Sequence, residues 1–97
     1  MKQVRFLGPA EQEMLGAARY YESQAVGLGE DFLYKIQSAI KDVAEHPDRW
    51  LAIRFDIRRR PVHRFPYGIL YRICPEEIVI VAVMHLRRHP SYWIGRR

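Results

Sequence analysis

Arginine, histidine and tyrosine crowd two stretches of this chain, IRRRPVHRFPYGILYRI at residues 57–73 and VIVAVMHLRRHPSYWIGR at residues 79–96. Arginine grips phosphate or carboxylate through a planar fork of donors and does not give up its proton. It can bind an anion or steady a crowded phosphate, but it cannot serve as a base. Cleaving RNA at such a site needs more: a group to take the 2′-hydroxyl proton, a group to protonate the leaving oxygen, and cations around the phosphate. The half of the chain that holds both stretches has only three carboxylates, Asp56, Glu76 and Glu77. The proton carriers are therefore His63, His85 and tyrosines such as Tyr71 or Tyr92. Each has a plainer role beside the chemical one. Tyr71 alternates with Ile69 and Ile73 and reads as core. His63 reads as a solvent-facing residue. Tyr92 and Trp93 either stack on a base or seal the end of the chain onto the core. His85 stands where an apolar strand ends among arginines, and it is the best-placed group to move a proton near neutral pH. His85 and His89 have the four-residue spacing of a metal pair. Pro90 interrupts any helix there and no carboxylate or thiol sits close in sequence, so no metal and no cofactor is expected.

The charge is unevenly distributed. Residues 1–53 carry six basic and eight acidic groups, a net of −2. Residues 54–97 carry ten basic groups against three acidic ones, a net of +7, and all ten are arginine. Lysine would serve solubility equally well, so the bias points to an anionic partner rather than a merely solvated face. The single cysteine, Cys74, cannot form an internal disulfide, which fits a reducing, cytoplasmic setting. The longest apolar run, Ile78 to Met84, is far too short to span a bilayer, and the opening MKQVRFLGPAEQEM has no signal-peptide core.

The elements that must position these residues follow from local pattern. The 97 residues suit one domain over 1–97. Lys2 to Leu7 alternates and reads as a first strand. Pro9, Glu11 and Glu13 open a helix over about 9–24, and Gly27-Leu28-Gly29 separates it from a second. Leu28, Phe32, Ile36, Ile40 and Val43 form the second helix's apolar stripe, and His46-Pro47 closes it. Arg54 to Ile57 and Pro61 to Phe65 read as short strands with Arg58-Arg59-Arg60 at their junction. Pro66-Tyr67-Gly68 reads as a turn, Ile69 to Cys74 as a strand, Pro75-Glu76-Glu77 as a hairpin turn, and Ile78 to Met84 as a central strand. His85 to Arg97 reads as a polar tail. The expected fold is α+β: an N-terminal strand, then an antiparallel helical hairpin packed on one face of a mainly antiparallel sheet of four to five strands.

Three segments together resemble the RelE/ParE superfamily of type II toxins, a group associated with plasmid stabilisation: AARYYESQAVGLGEDFLYKIQSAI, RRRPVHRFPYGILYRI and IVAVMHLRRHPSYWIGRR. The resemblance covers nearly the whole chain. It implies a bacterial toxin encoded beside a small antitoxin that wraps and neutralises it. The charge balance adds that this partner is acidic and extended. Family members divide by target. RelE-like toxins cut messenger RNA, commonly on the ribosome, and ParE-like toxins poison DNA gyrase without being nucleases. Both branches are open from the sequence, and so is whether the chain is an enzyme. No membrane or small-molecule partner is expected. By the resemblance, strand arginines and C-terminal residues form the RelE-type site, and the matching positions here are Arg58, Arg64, His85, Arg88 and Tyr92. Nuclease members often use lysines where this half has none. RNA cleavage here would be metal-independent and would leave 2′,3′-cyclic phosphate ends. A reading independent of the family is a basic module that binds nucleic acid or an acidic protein without catalysis.

Overall fold

A computed structural model describes residues 2–88 and 91–96. Strand β1 (Gln3–Phe6) leads into helix α1 (Gly8–Gln24), which is followed by helix α2 (Leu28–Glu45). Strands β2 (Ala52–Arg54), β3 (Ile57–Pro61), β4 (Tyr67–Ile73) and β5 (Glu77–His85) complete the order. They form a five-stranded sheet in the spatial order β1-β5-β4-β3-β2. The β1–β5 pair is parallel and the other pairs are antiparallel. No helix among the described residues is long and apolar enough to cross a membrane.

The two helices lie on one face of the sheet. Pro9 sits in the first turn of α1, where its missing N–H costs nothing. Gly27 takes φ 87°, a left-handed conformation that glycine adopts without a Cβ penalty, and the Glu22 carboxylate accepts hydrogen bonds from the N–H groups of Gly27 and Gly29. At Gly29 a Cβ would lie 2.6 Å from the Ala18 carbonyl oxygen, so only glycine lets α2 start this close to α1. Ala10, Ala17 and Ala18 of α1, with Phe32, Ile36, Ala39 and Val43 of α2, bury against Ile69, Tyr71, Ile78, Ile80 and Val83 of the sheet.

The opposite face, here called the open face, carries a second apolar cluster of Leu7, Ile57, Leu70, Val79, Val81, Ala82 and Met84, covered in part by Trp93. With apolar residues on both faces, β5 is the buried middle of the molecule, as its unbroken apolar run predicts.

Four expectations need correction. Arg58-Arg59-Arg60 is not a junction but the body of β3, which ends at Pro61, and residues 62–65 are not a strand. Long arginine stems tolerate a half-buried strand because the stem packs while the head reaches a partner or water. Arg58 and Arg60, opposite Tyr71 and Ile69, turn to the helix side, and Arg59, opposite Leu70, turns to the open face. Beyond Pro61 the chain reverses: Val62 N–H donates to the Tyr67 carbonyl, and Arg64 adopts φ 75°. Tyr67 and Gly68, expected in a turn, begin β4. The tail is also less polar than expected, since Trp93 is only 3% exposed.

Tyr71 is fully buried, and its hydroxyl donates to the Pro47 carbonyl at 2.7 Å, closing the α2–β2 connection onto the sheet. Burial raises its pKa above the ordinary tyrosine value, which suits a structural hydroxyl rather than a proton carrier. Tyr71→Phe should cost about 1 kcal/mol, the net worth of one hydrogen bond plus an orphaned carbonyl. In thermal denaturation this should appear as a fall of roughly 4–8 °C for a domain of this size.

Candidate functional site

β1 ends at Phe6, opposite Ile80, so among the described residues no strand neighbours that edge of β5 from Val81 onward. A buried ion pair completes it. Glu13 of α1 accepts a hydrogen bond from Val83 N–H at 3.1 Å. The same carboxylate holds the Arg96 guanidinium through two hydrogen bonds, at 2.9 and 3.0 Å, and Arg96 also donates to the Val81 carbonyl at 3.2 Å. Both side chains are more than four-fifths buried. One carboxylate thus joins α1, the edge of β5 and the C-terminal segment.

The register of β5 shifts at the same place. Leu70 pairs with Ala82 but Tyr71 pairs with Ile80, leaving Val81 as an extra residue. Val81 and Ala82 both join the open-face cluster. A bulge of this kind re-aims every residue beyond it. Strict alternation from Ile78 and Ile80 would turn Val83 and His85 away from the helices. The extra residue brings them to the helix side, where a cleft of about 170 Å³ is lined by Glu13 and Gly16 of α1 with Tyr67, His85, Arg88 and Tyr92.

Within the cleft the His85 ring stands edge-on to Tyr67, with centroids 5.1 Å apart. His85 Nδ1 accepts a hydrogen bond from Arg87 N–H at 3.1 Å. In the neutral ring that leaves the proton on Nε2. The Tyr92 ring lies between two guanidiniums, with Arg88 4.2 Å and Arg96 5.0 Å from its centroid. The Tyr92 hydroxyl is buried close to the Glu13 carboxylate without a well-formed hydrogen bond. Burial first, and then the neighbouring Glu13 carboxylate, push its pKa far above the ordinary tyrosine range. Burial also raises that of Tyr67.

Of the five residues singled out by the sequence, His85, Arg88 and Tyr92 therefore meet in one cleft, and Arg58 and Arg64 do not join them. The Arg58 guanidinium donates to the carbonyls of Trp50 at 2.7 Å and Asp48 at 3.3 Å, so it fastens the segment after α2. Arg64 is exposed in the loop before β4, with its guanidinium 5.6 Å from the Phe65 ring. The neighbouring Arg60 is bound to Asp42 at 2.6 Å and lies over Trp50. His63 is exposed. His89, the other half of the metal pair weighed from sequence, lies outside the described residues. Among the described residues no group of three His, Cys, Asp or Glu side chains is placed to hold a metal ion.

Glu13, Tyr67 and Arg96 escape a sequence reading of the site. Glu13 reads as an ordinary first-turn helix acid, and only the meeting of α1 with β5 reveals its partners. Tyr67 was hidden by the turn signal of its Pro and Gly neighbours.

The chain thus carries a helical hairpin on one face of a five-stranded sheet, with a cleft holding His85 and Arg88 at the end of β5. The chain belongs to the ParE family, the toxin of the type II toxin–antitoxin system parDE, whose model matches residues 4–90. It is accordingly a toxin component with a cognate antitoxin. The fold is shared with a chain of the chromosomal ParDE toxin–antitoxin system from P. aeruginosa, at a TM-score of 0.66 and 16% identity, covering 90% of this chain and 98% of that one. Among proteins of curated function none matches in sequence.

Proposed function

We propose that this toxin acts by binding its target, DNA gyrase, as ParE-like toxins do, rather than by cutting RNA. The observation that supports this reading is the state of the proton carriers in the cleft. Glu13 is engaged by Arg96 and Val83 N–H. Tyr92 and Tyr67 are held well on the protonated side. Among the described residues the one carboxylate that lines the cleft with His85 is Glu13, which Arg96 already engages, so no free base stands beside His85 to complete a transfer pair. The cleft is better suited to holding an anionic or polar group against Arg88 than to shuttling protons. The residues assigned to target contact are Arg88 and the Tyr67 edge, with Tyr92 as the platform on which Arg88 rests.

The competing reading, RNA cleavage, makes His85 indispensable. Loss of one proton-transfer group typically costs about 10²–10⁴-fold in rate. His85→Ala is expected to leave growth arrest substantially intact, with a DNA-damage response and altered supercoiling while translated messages stay whole. Message cleavage by the wild type that disappears with His85→Ala would replace the gyrase reading with the nuclease one.

A further inference from the structure

The open face carries a recess of about 420 Å³, separate from the cleft. Ile57, Val81, Trp93 and Ile94 give it apolar walls, and Phe55 stands at its lip. Two opposite charges flank this apolar volume. Arg72, half-buried on β4, and Asp56, exposed in the turn between β2 and β3, both line it. Neither side chain is in an ion pair among the described residues, with each other or with any other group. A chain that ties Arg58, Arg60 and Arg96 to carboxylates thus leaves one cation and one anion open at the same recess.

Two further observations point to an occupant. Trp93 is 3% exposed, and its Nε1–H is buried without an acceptor among the described residues. A buried donor left unmade costs free energy, which a ligand oxygen reaching it would recover. Phe55 sits in the β2–β3 turn at φ 53°, in the left-handed region, where a residue with a Cβ is strained and glycine or asparagine is the usual occupant. The position nevertheless holds a phenylalanine that is 74% exposed in the free protein. Backbone strain of this sort is held at ligand clamps, where it fixes the place of a side chain.

We propose that the recess is a binding site for one free apolar α-amino acid. The ligand's carboxylate pairs with Arg72, whose planar fork of donors suits it, and its ammonium faces Asp56. Its side chain lies against Ile57, Val81 and Trp93, with the Phe55 ring at the lip. A simple carboxylate would leave Asp56 unanswered, and a simple amine would leave Arg72 so. A phosphate group fits poorly, because Asp56 repels it and the other arginine of the recess, Arg96, is already held by Glu13. Asp56 and Arg72 come together only because β3 pairs with β4, Arg58 opposite Tyr71, which is why a small-molecule partner is not expected from the sequence. The site lies on the other face of the sheet from the cleft of His85 and Arg88, and it does not depend on how the toxin acts.

Calorimetry on the purified toxin with L-phenylalanine and L-leucine tests this. Saturable one-to-one binding of at least one of them is expected, with a Kd below about 1 mM. The melting temperature should rise with the concentration of that ligand. For phenylalanine, N-acetyl-L-phenylalanine keeps the carboxylate without the ammonium, and L-phenylalaninamide keeps the ammonium without the carboxylate. Each should bind at least about tenfold more weakly than the free amino acid. Arg72→Gln and Asp56→Asn should each weaken amino-acid binding by a similar factor while melting within a few degrees of wild type. Should Arg72→Gln lower the melting temperature sharply, Asp56→Asn, in an exposed turn, carries the test alone. No binding of either amino acid by the folded wild type would overturn the site and leave the toxin reading untouched. N-acetyl-L-phenylalanine binding as tightly as phenylalanine would assign the recess to a peptide C-terminus and overturn the amino-acid proposal. Wild-type affinity in Asp56→Asn would overturn it too.

Discussion

Glu13→Ala should destabilise the toxin by about 2–4 kcal/mol and abolish growth arrest. Breaking a buried pair by removing one partner typically costs about 3–5 kcal/mol, and the lower range applies because both side chains keep some contact with solvent. The change strands the Arg96 guanidinium and leaves Val83 N–H without its acceptor on the open edge of β5. It also frees the C-terminal segment that holds Tyr92 between Arg88 and Arg96. Activity should therefore fall even at temperatures where the variant is folded. The Glu13→Ala/Arg96→Ala double variant should lose less than the sum of the two single variants, because the pair is coupled. Additive losses in a double-mutant cycle, or a Glu13→Ala melting temperature equal to wild type, would show that the pair holds nothing.

Phe32→Ala should be at least as damaging. Phe32 is completely buried, and its ring meets Tyr21 at 5.3 Å, Phe65 at 5.2 Å and Tyr67 at 5.1 Å. Truncating such a ring costs about 3–5 kcal/mol, against a total stability of about 5–15 kcal/mol for a domain of this kind. The melting temperature should fall by roughly 15–30 °C. The effect reaches the cleft because Tyr67 links this ring cluster to His85. A variant that melts within a few degrees of wild type would mean that the cluster repacks to fill the cavity.

What the sequence makes legible follows from the range of the signals involved. The apolar stripe of α2 and the unbroken run of β5 are strong, local and periodic, so the helical hairpin and the central strand are readable directly. The arginine run in β3 is not, because its solvation depends on Asp42, Asp48 and the Trp50 carbonyl, which only the fold brings near. His85, Arg88 and Tyr92 lie close together in the chain and are readable as a group. Their meeting with Glu13 is set by a single extra residue in β5, which no pattern of hydrophobic residues announces. Arg58 and Arg64 follow the family resemblance in residue type, but their places in a strand tied to the α2–β2 segment and in a turn keep them out of the cleft.

β5, which lies between β1 and β4, is also the last strand in chain order among the described residues. β1 waits for Glu77 to Ile80 before it has any partner, and β4 likewise gains its second neighbour only then. Until the ribosome has delivered residues 77–85, neither apolar cluster can close, and Glu13 has nothing to hold until Arg96 follows. A chain interrupted before β5 therefore has no cleft and no completed sheet. The sheet, both apolar clusters and the cleft are thus completed together rather than one after another.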